Sequence, residues 1–271
     1  MTLSIKNLCF QYGKQTILND VSTTLKQGEL VCLLGPNGSG KTTMLNCISG
    51  FEDDFDGYIE IEGIPVSKMR DTERARRIAY MPQKDEVNFP FAAREVVLMG
   101  RTPYLGRFDV PGDKDHALVL AVLEALDIQH LADQMYHTLS GGEKQLVRIA
   151  RGLVQGAVFQ LLDEPTASLD LKNEMMVLEH ISDMMLSSSH GIVMSTHDPN
   201  HAFYFAQRGV KTRAVLLEAG AVVSEGAPEA VLTVDNIRRV YRLGTQILSF
   251  TADGAVKPQS HIVPIRTERG I

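Results

Sequence analysis

The first thirty residues alternate apolar and polar positions as strands do, in "LSIKNLCFQY" at 3–12 and "TILNDVSTTL" at 16–25. Asn19-Asp20 and Gln27-Gly28 punctuate the pattern as turns, so a small antiparallel sheet is expected. "LVCLL" at 30–34 is a short unbroken apolar run, the mark of a strand buried on both faces. A glycine-rich loop follows, then "TTMLNCISG", read as a helix over 42–50 closed by Gly50. "GYIEI" at 57–61 and "RIAYM" at 77–81 read as further strands.

From about 90 to 158 the period changes. Leu118, Ala121, Val122, Ala125 and Leu126 repeat at helical spacing, which predicts a helical subdomain inserted between halves of an α/β core. The sequence then returns to a strand in "VFQLLDE", a helix in "KNEMMVLEHISDMML" and a strand in "GIVMSTHD". Alternation of this kind predicts an α/β fold with a largely parallel sheet. Gln160 is polar inside a run that should be buried. Either it faces a polar neighbour or its strand lies near an edge. After about 230 the chain turns polar, and a tail of modest structure is expected. The expected organisation is one domain over 1–271. Its α/β core spans 1–88 and 159–229, its helical subdomain 89–158 and its tail 230–271.

Composition narrows the function. The chain has 271 residues, 44% hydrophobic and 22% charged, with a net charge of −6. It lacks the general basic footprint of a nucleic-acid binder. Trp is absent and aromatics are few, so base-stacking platforms are not expected. Cys9, Cys32 and Cys47 are odd in number and unpaired in spacing, which fits reduced thiols better than a disulfide framework. The N-terminus has no basic-then-apolar signal, and "ALVLAVL" at 117–123 is far too short to span a bilayer.

The chemistry lies in four places. Gly35, Gly40, Lys41 and Thr42 match G-x-x-x-x-G-K-[ST], directly after a strand and before a helix. Glycines there let backbone N–H groups turn inward around an anion, and the helix start adds its positive end. Lys41 supplies a full charge for the outer phosphates and Thr42 a hydroxyl for Mg²⁺. Asp163 and Glu164 end an apolar strand, where open α/β sheets bind ligands. Asp163 suits Mg²⁺, held through water, and Glu164 suits polarisation of an attacking water. "LSGGEKQ" at 139–145 is a second glycine-rich loop without a lysine. Its helix start favours an anion but would hold a triphosphate weakly alone. "FPFAAREVVLMGRTPYLGRF" at 89–108 mixes Phe89, Phe91, Val96 and Met99 with Arg94, Arg101 and Arg107, which suits either a partner-helix groove or plain core packing.

These motifs, with Gln83 in "YMPQ", "LLDEPTASLD" and His197 in "STHD", occur in the order found in ATP-binding cassette ATPases. The chain resembles that family over roughly 3–230. The resemblance implies a P-loop core with a small antiparallel β subdomain and an inserted α-helical subdomain. It implies ATP and Mg²⁺ as ligands, cradled by Gly35, Pro36, Asn37, Gly38, Ser39, Gly40, Lys41, Thr42 and Thr43, with Tyr12 stacked on adenine. It implies that Gln83 contacts Mg²⁺ or the attacking water, and that His197 senses the γ-phosphate and orients Glu164. Ser140, Gly141, Gly142 and Glu143 would meet ATP held by a second copy in a head-to-tail homodimer, with Asp170 in the loop crossing that interface.

The 89–108 segment and "EGAPEAVLTVDNIRRVYRL" further resemble the cassette subunits of importers for ferric siderophores, haem and cobalamin. Such subunits serve a membrane permease and, indirectly, a substrate-binding protein, as peripheral subunits on the cytoplasmic face of the cell membrane. Two alternatives remain open: a soluble cassette acting on DNA or the ribosome, and an exporter cassette. Paired cassettes, coiled-coil insertions and zinc cysteines, which often mark the DNA and ribosome group, are not seen. The chain departs from the family in three places. Glu143 stands where Gln is frequent, Gly156-Ala157 replaces a more polar approach to the acidic strand, and 206–220 is longer than usual.

Overall fold

The computed structural model describes residues 1–83, 90–106, 108–251 and 259–267. In chain order the elements begin with β1 (Thr2–Tyr12), β2 (Gln15–Lys26), β3 (Leu30–Leu34), α1 (Lys41–Ser49), β4 (Asp56–Ile61) and β5 (Ile64–Pro65). Next come α2 (Asp71–Ala75), β6 (Ile78–Met81), α3 (Ala93–Leu98), α4 (Asp113–Ala125) and α5 (Gly141–Val154). They continue with β7 (Phe159–Asp163), α6 (Leu171–Ser187), β8 (Gly191–Thr196), α7 (Asn200–Gln207), β9 (Thr212–Glu218) and β10 (Ala221–Gly226). The last are α8 (Pro228–Val231), α9 (Val234–Tyr241), β11 (Leu243–Phe250) and β12 (Gln259–Thr267).

Six strands form the central sheet in the order β10-β9-β3-β8-β7-β6, parallel except for the antiparallel edge pair β10/β9. Strands β3, β7 and β8 are buried along their whole length, as their unbroken apolar runs require. On β3, Val31 and Leu33 join a core shared with the antiparallel sheet β2-β1-β4-β5, while Cys32 and Leu34 join one lined by α5, α6 and α7. The two-residue period thus sends alternate side chains of one strand into two different cores.

The alternating N-terminal stretch does pair as β1 and β2. Asn19-Asp20, however, is not a turn. It lies within β2, where Asp20 takes φ +55 beside a register shift between Leu8/Val21 and Phe10/Leu18. The hairpin turns at Gly13-Lys14 instead. Asn and Asp tolerate the left-handed region, and a bulge uses that tolerance as readily as a turn.

Between β6 and β7 the described regular elements are helical, and α5 packs against α3, α4 and α6. On α4 the buried positions are Val119 and Leu123, continued by Leu126. The expected face is therefore rotated, since Leu118, Ala121 and Ala125 are exposed. Several apolar stripes fit that run equally well, and packing selects one.

Gln160 is 3% exposed on β7, which has a neighbour on both sides. Its amide donates to the Gly152 and Ala157 carbonyls at 3.2 and 3.4 Å, so it faces polar backbone and not an edge. Gly156 takes φ +68 just past α5, which accounts for a glycine there. The extra length at 206–220 is the end of α7, a tight turn through Gly209 at φ +87, and β9. The C-terminal stretch carries more regular structure than expected. It contains α9 and the antiparallel hairpin β11/β12, with Ile237, Val240 and Ile262 buried in the main core.

Of the 89–108 segment, Phe89 and Arg107 lie outside the described residues. Val96 is fully buried and Met99 is exposed. Arg94 pairs with Asp133, and Arg101 pairs with Asp115 at 2.8 Å while lying over the Tyr104 ring. Both arginines are therefore engaged within the subdomain.

Candidate functional site

Four neighbouring strands of the central sheet end at one place. The glycine loop follows β3, His197 follows β8, Asp163 and Glu164 follow the body of β7, and Gln83 follows β6. This is the carboxyl edge of a parallel sheet, where loops converge and helix starts point inward.

The loop itself requires glycine at two points. Gly35 has φ +151, and a Cβ there would lie 2.4 Å from the Leu217 carbonyl. Gly40 has φ +102, and its Cβ would meet Leu18 Cδ2 at 2.7 Å and the Ile17 carbonyl at 3.0 Å. Lys41 opens α1, with Nζ donating to the carbonyls of Gly35 and Pro36 at 2.8 and 3.1 Å. It is 6% exposed. Burial holds its ammonium below the ordinary lysine range, while Glu164 and Asp163 pull the other way.

Glu164 sits at the centre. Its Oε1 is 4.0 Å from Lys41 Nζ, its Oε2 accepts from Gln83 Nε2 at 2.9 Å, and His197 Nδ1 is 3.9 Å from the same oxygen. His197 is thus near Glu164 but beyond hydrogen-bond reach. The Glu164 backbone N–H donates to Ser195 Oγ at 2.9 Å, and Ser195 Oγ donates to Asp163 Oδ1 at 2.5 Å. Ser195 thereby fixes both acids. Sequence reasoning missed it, and the only signal was a hydroxyl inside an otherwise buried strand. Asp163 is 1% exposed, and among the described residues its Oδ2 has no hydrogen-bond partner. A buried carboxylate oxygen with an open lone pair fits a divalent cation.

A cleft of about 470 Å³ opens over these groups, lined by Asn37, Gly38, Gly40, Lys41, Thr42, Thr43, Gln83 and Glu164. Gln15 and Ile17 of β2 complete its wall, and neither was expected from sequence. Pro36 and Ser39 belong to the same loop, with Ser39 buried. Tyr12, 49% exposed at the end of β1, packs edge-on against Phe10 and donates to Glu52 at 2.5 Å. That hydrogen bond, more than partial burial, pushes its phenol up to about 12.

The serine-glycine loop does not line this cleft. Ser140 caps α5 in a reciprocal box: its Oγ accepts the Glu143 N–H at 3.3 Å, and Glu143 Oε2 accepts the Ser140 N–H at 2.8 Å. The Ser140 hydroxyl also donates to Glu143 Oε2 at 2.7 Å. These hydrogen bonds hold the Glu143 carboxyl below the usual range. Gly142 lies against the start of α6, where a Cβ would meet Asn173 Oδ1 at 2.6 Å. Asp170 caps α6 through the Asn173 N–H at 2.8 Å. The fold therefore makes two groups within one chain. A cleft holds Lys41, Gln83 and Glu164, and a separate corner holds Ser140 to Glu143 beside Leu169, Asp170 and Asn173.

Fold and site together define a nucleotide-binding cassette. The ABC transporter family's sequence pattern matches residues 18–167, and the chain belongs to that family. An uncharacterized ABC transporter ATP-binding protein of Haemophilus influenzae is 38% identical over 248 residues, covering 92% of each chain. A hemin import ATP-binding protein of Nocardia farcinica is 38% identical over 250 residues, covering 92% of this chain and 83% of that one. Among solved structures, an inward-facing metal-chelate type ABC transporter superposes with a TM-score of 0.84 at 29% identity, covering 98% and 97%.

Proposed function

We propose that this chain is the ATP-hydrolysing subunit of an importer for a metal chelate of hemin, cobalamin or ferric siderophore type. Family membership supplies the coarser part: an ATP-binding subunit of a transporter, associated with membrane permease subunits. No described helix is long and apolar enough to cross a membrane, so the permease is a separate chain in this reading. The cargo class rests on relatives named as import proteins for hemin and, in Halobacterium salinarum at 36% identity, for cobalamin.

The observation that carries catalysis is Glu164, held between Lys41 and Gln83 at the floor of the phosphate-loop cleft. Lys41 gives its donors to the outer phosphates in place of the Gly35 and Pro36 carbonyls, and the loop N–H groups hold the rest. Glu164 receives a proton from the attacking water, while Gln83 and His197 orient that water and the carboxylate. Asp163, with Thr42 and Gln83, would hold Mg²⁺, which when bound neutralises phosphate charge. Positioning and charge neutralisation are most of what phosphoryl transfer asks of a protein.

The separation of the serine-glycine corner from the cleft supports a homodimer. Ser140, Gly141, Gly142 and Glu143 of one protomer cap ATP bound by its partner, with Asp170 at the crossing. Tyr12 stacks on the adenine. The permease docks on the 89–158 helical region, where Met99, Phe108 and Val110 are exposed, on the cytoplasmic face of the membrane. A substrate-binding protein delivers the cargo to it. The test is uptake by vesicles holding the chain with its copurifying permease. ATP-dependent accumulation of hemin, cobalamin or a ferric siderophore supports import; ATP hydrolysis stimulated by DNA, without membrane association, overturns it.

A further inference from the structure

The loop from Glu164 to α6 is fastened to the same stretch of chain at both ends. At its start, Ser195 takes the Glu164 N–H and holds Asp163. At its far end, in the first turn of α6, Glu174 Oε1 lies 3.0 Å from His201 Nε2. The other ring nitrogen of His201 lies 2.8 Å from Thr196 Oγ1, which also accepts the Asp198 N–H at 3.1 Å. His201 itself is 4% exposed. A carboxylate only accepts, so Nε2 carries a proton towards Glu174, and in the neutral ring Nδ1 takes the Thr196 hydroxyl.

Between these two fastenings the chain holds φ +46 at Glu164 and +64 at Ser168. Side-chain-bearing residues avoid that region unless their surroundings hold them there. The ring also ties down the turn that carries His197, since Thr196 and Asp198 flank that residue directly.

We propose that His201 is a positioning residue for ATP hydrolysis. By bridging Thr196 to Glu174 it fixes the loop of Glu164 and Asp170 against the turn of His197. This rests on the ATPase reading above. A histidine that merely fills the core would stabilise the fold without setting the turnover rate in this way.

The test measures ATP turnover and ATP KM for the full chain. H201Q keeps an amide donor near the Nε2 position and so keeps Glu174. H201N offers a carbonyl near Nδ1 to Thr196 but falls short of Glu174. E174A cuts the bridge at a partly exposed side chain, where folding is least at risk. The expected result is a fall in kcat of about tenfold for H201A, H201N and E174A, with KM within about twofold. H201Q is expected to keep half or more of kcat. The double variant H201A/E174A should fall no further than either single change, as expected of one shared contact. Amide exchange over 164–170, measured without nucleotide, should quicken in E174A.

Wild-type kcat in E174A, failure of H201Q to rescue, or multiplicative loss in the double variant would each overturn the proposal while leaving the ATPase reading standing. A wild-type chain inert towards ATP would overturn both.

Discussion

Gln83 Nε2 donates to Glu164 Oε2 across 2.9 Å, joining the chain just past edge strand β6 to the acidic end of β7. The two are 81 positions apart, and the whole helical region lies between them in sequence. The bond ties the chain just before the helical region to the Glu164 carboxylate in the cleft.

Glu164→Gln keeps the shape and removes the proton acceptor. Its hydrolysis rate should fall on the order of 10²–10³ while ATP binding persists. Phosphate release and equilibrium nucleotide binding, measured on the same preparation, check this. Wild-type turnover would remove Glu164 from its role.

Lys41→Ala removes the only side-chain ammonium in the cleft wall among the described residues. Loss of a charge-assisted contact worth about 1.5–3 kcal/mol should weaken ATP binding roughly 10- to 100-fold. Calorimetric titration decides the matter, and an unchanged Kd counts against the cradle.

Gly40 and Gly38 give a graded pair. Both take positive φ, but a Cβ on Gly40 meets Leu18 and Ile17, whereas one on Gly38 meets nothing among the described residues within 4 Å. Gly40→Ala should cost about 2–3 kcal/mol and Gly38→Ala about 1 kcal/mol. Urea midpoints of the two variants report the order, and equal losses would contradict the packing.

Two inactive chains should repair one another if the cap comes from the partner. A K41A chain retains its serine-glycine corner, and a G141D chain retains its lysine. In a mixture about half the dimers are mixed, each with one intact pocket, so about a quarter of the wild-type rate should return. Mixing two preparations and following phosphate release tests this, and no recovery would rule out the shared pocket.

The pH dependence of the α5 start follows from Glu143. Its carboxyl is held below the ordinary range by Ser140, so the folded chain binds that proton less readily than the unfolded one. The contribution is fully present above the unfolded carboxylate value, roughly pH 4.3, and fades as pH falls through the lower folded value. Melting temperature against pH should show a smaller acid-side loss in Glu143→Gln than in the parent chain.

Much of this was legible in the sequence because it is local. A continuous apolar run, a glycine loop and a lysine dictate strand, cradle and helix between Leu30 and Ser49, and β3, the loop and α1 follow in that order. Where the signal was local but ambiguous, packing made the choice. The Asn19-Asp20 pair serves a bulge as well as a turn, and the apolar positions of α4 offered more than one face. The Ser195 and His201 contacts were not legible at all. The first depends on β8 lying beside β7 and the second on α7 lying beside α6, and neither residue type is unusual in its own segment.

Sequence by itself determined which chemistries this protein carries, since residue identity and short spacing set phosphate cradling, acidity and helix capping. Tertiary structure alone decided that β3, β8, β7 and β6 lie side by side, so that Lys41, His197, Glu164 and Gln83 meet at one edge of the sheet. It also decided that Ser140 and Gly141 stand apart from them. The physical reason is range: backbone geometry and capping act over a few residues, whereas strand order is fixed by burying both faces of the sheet at once.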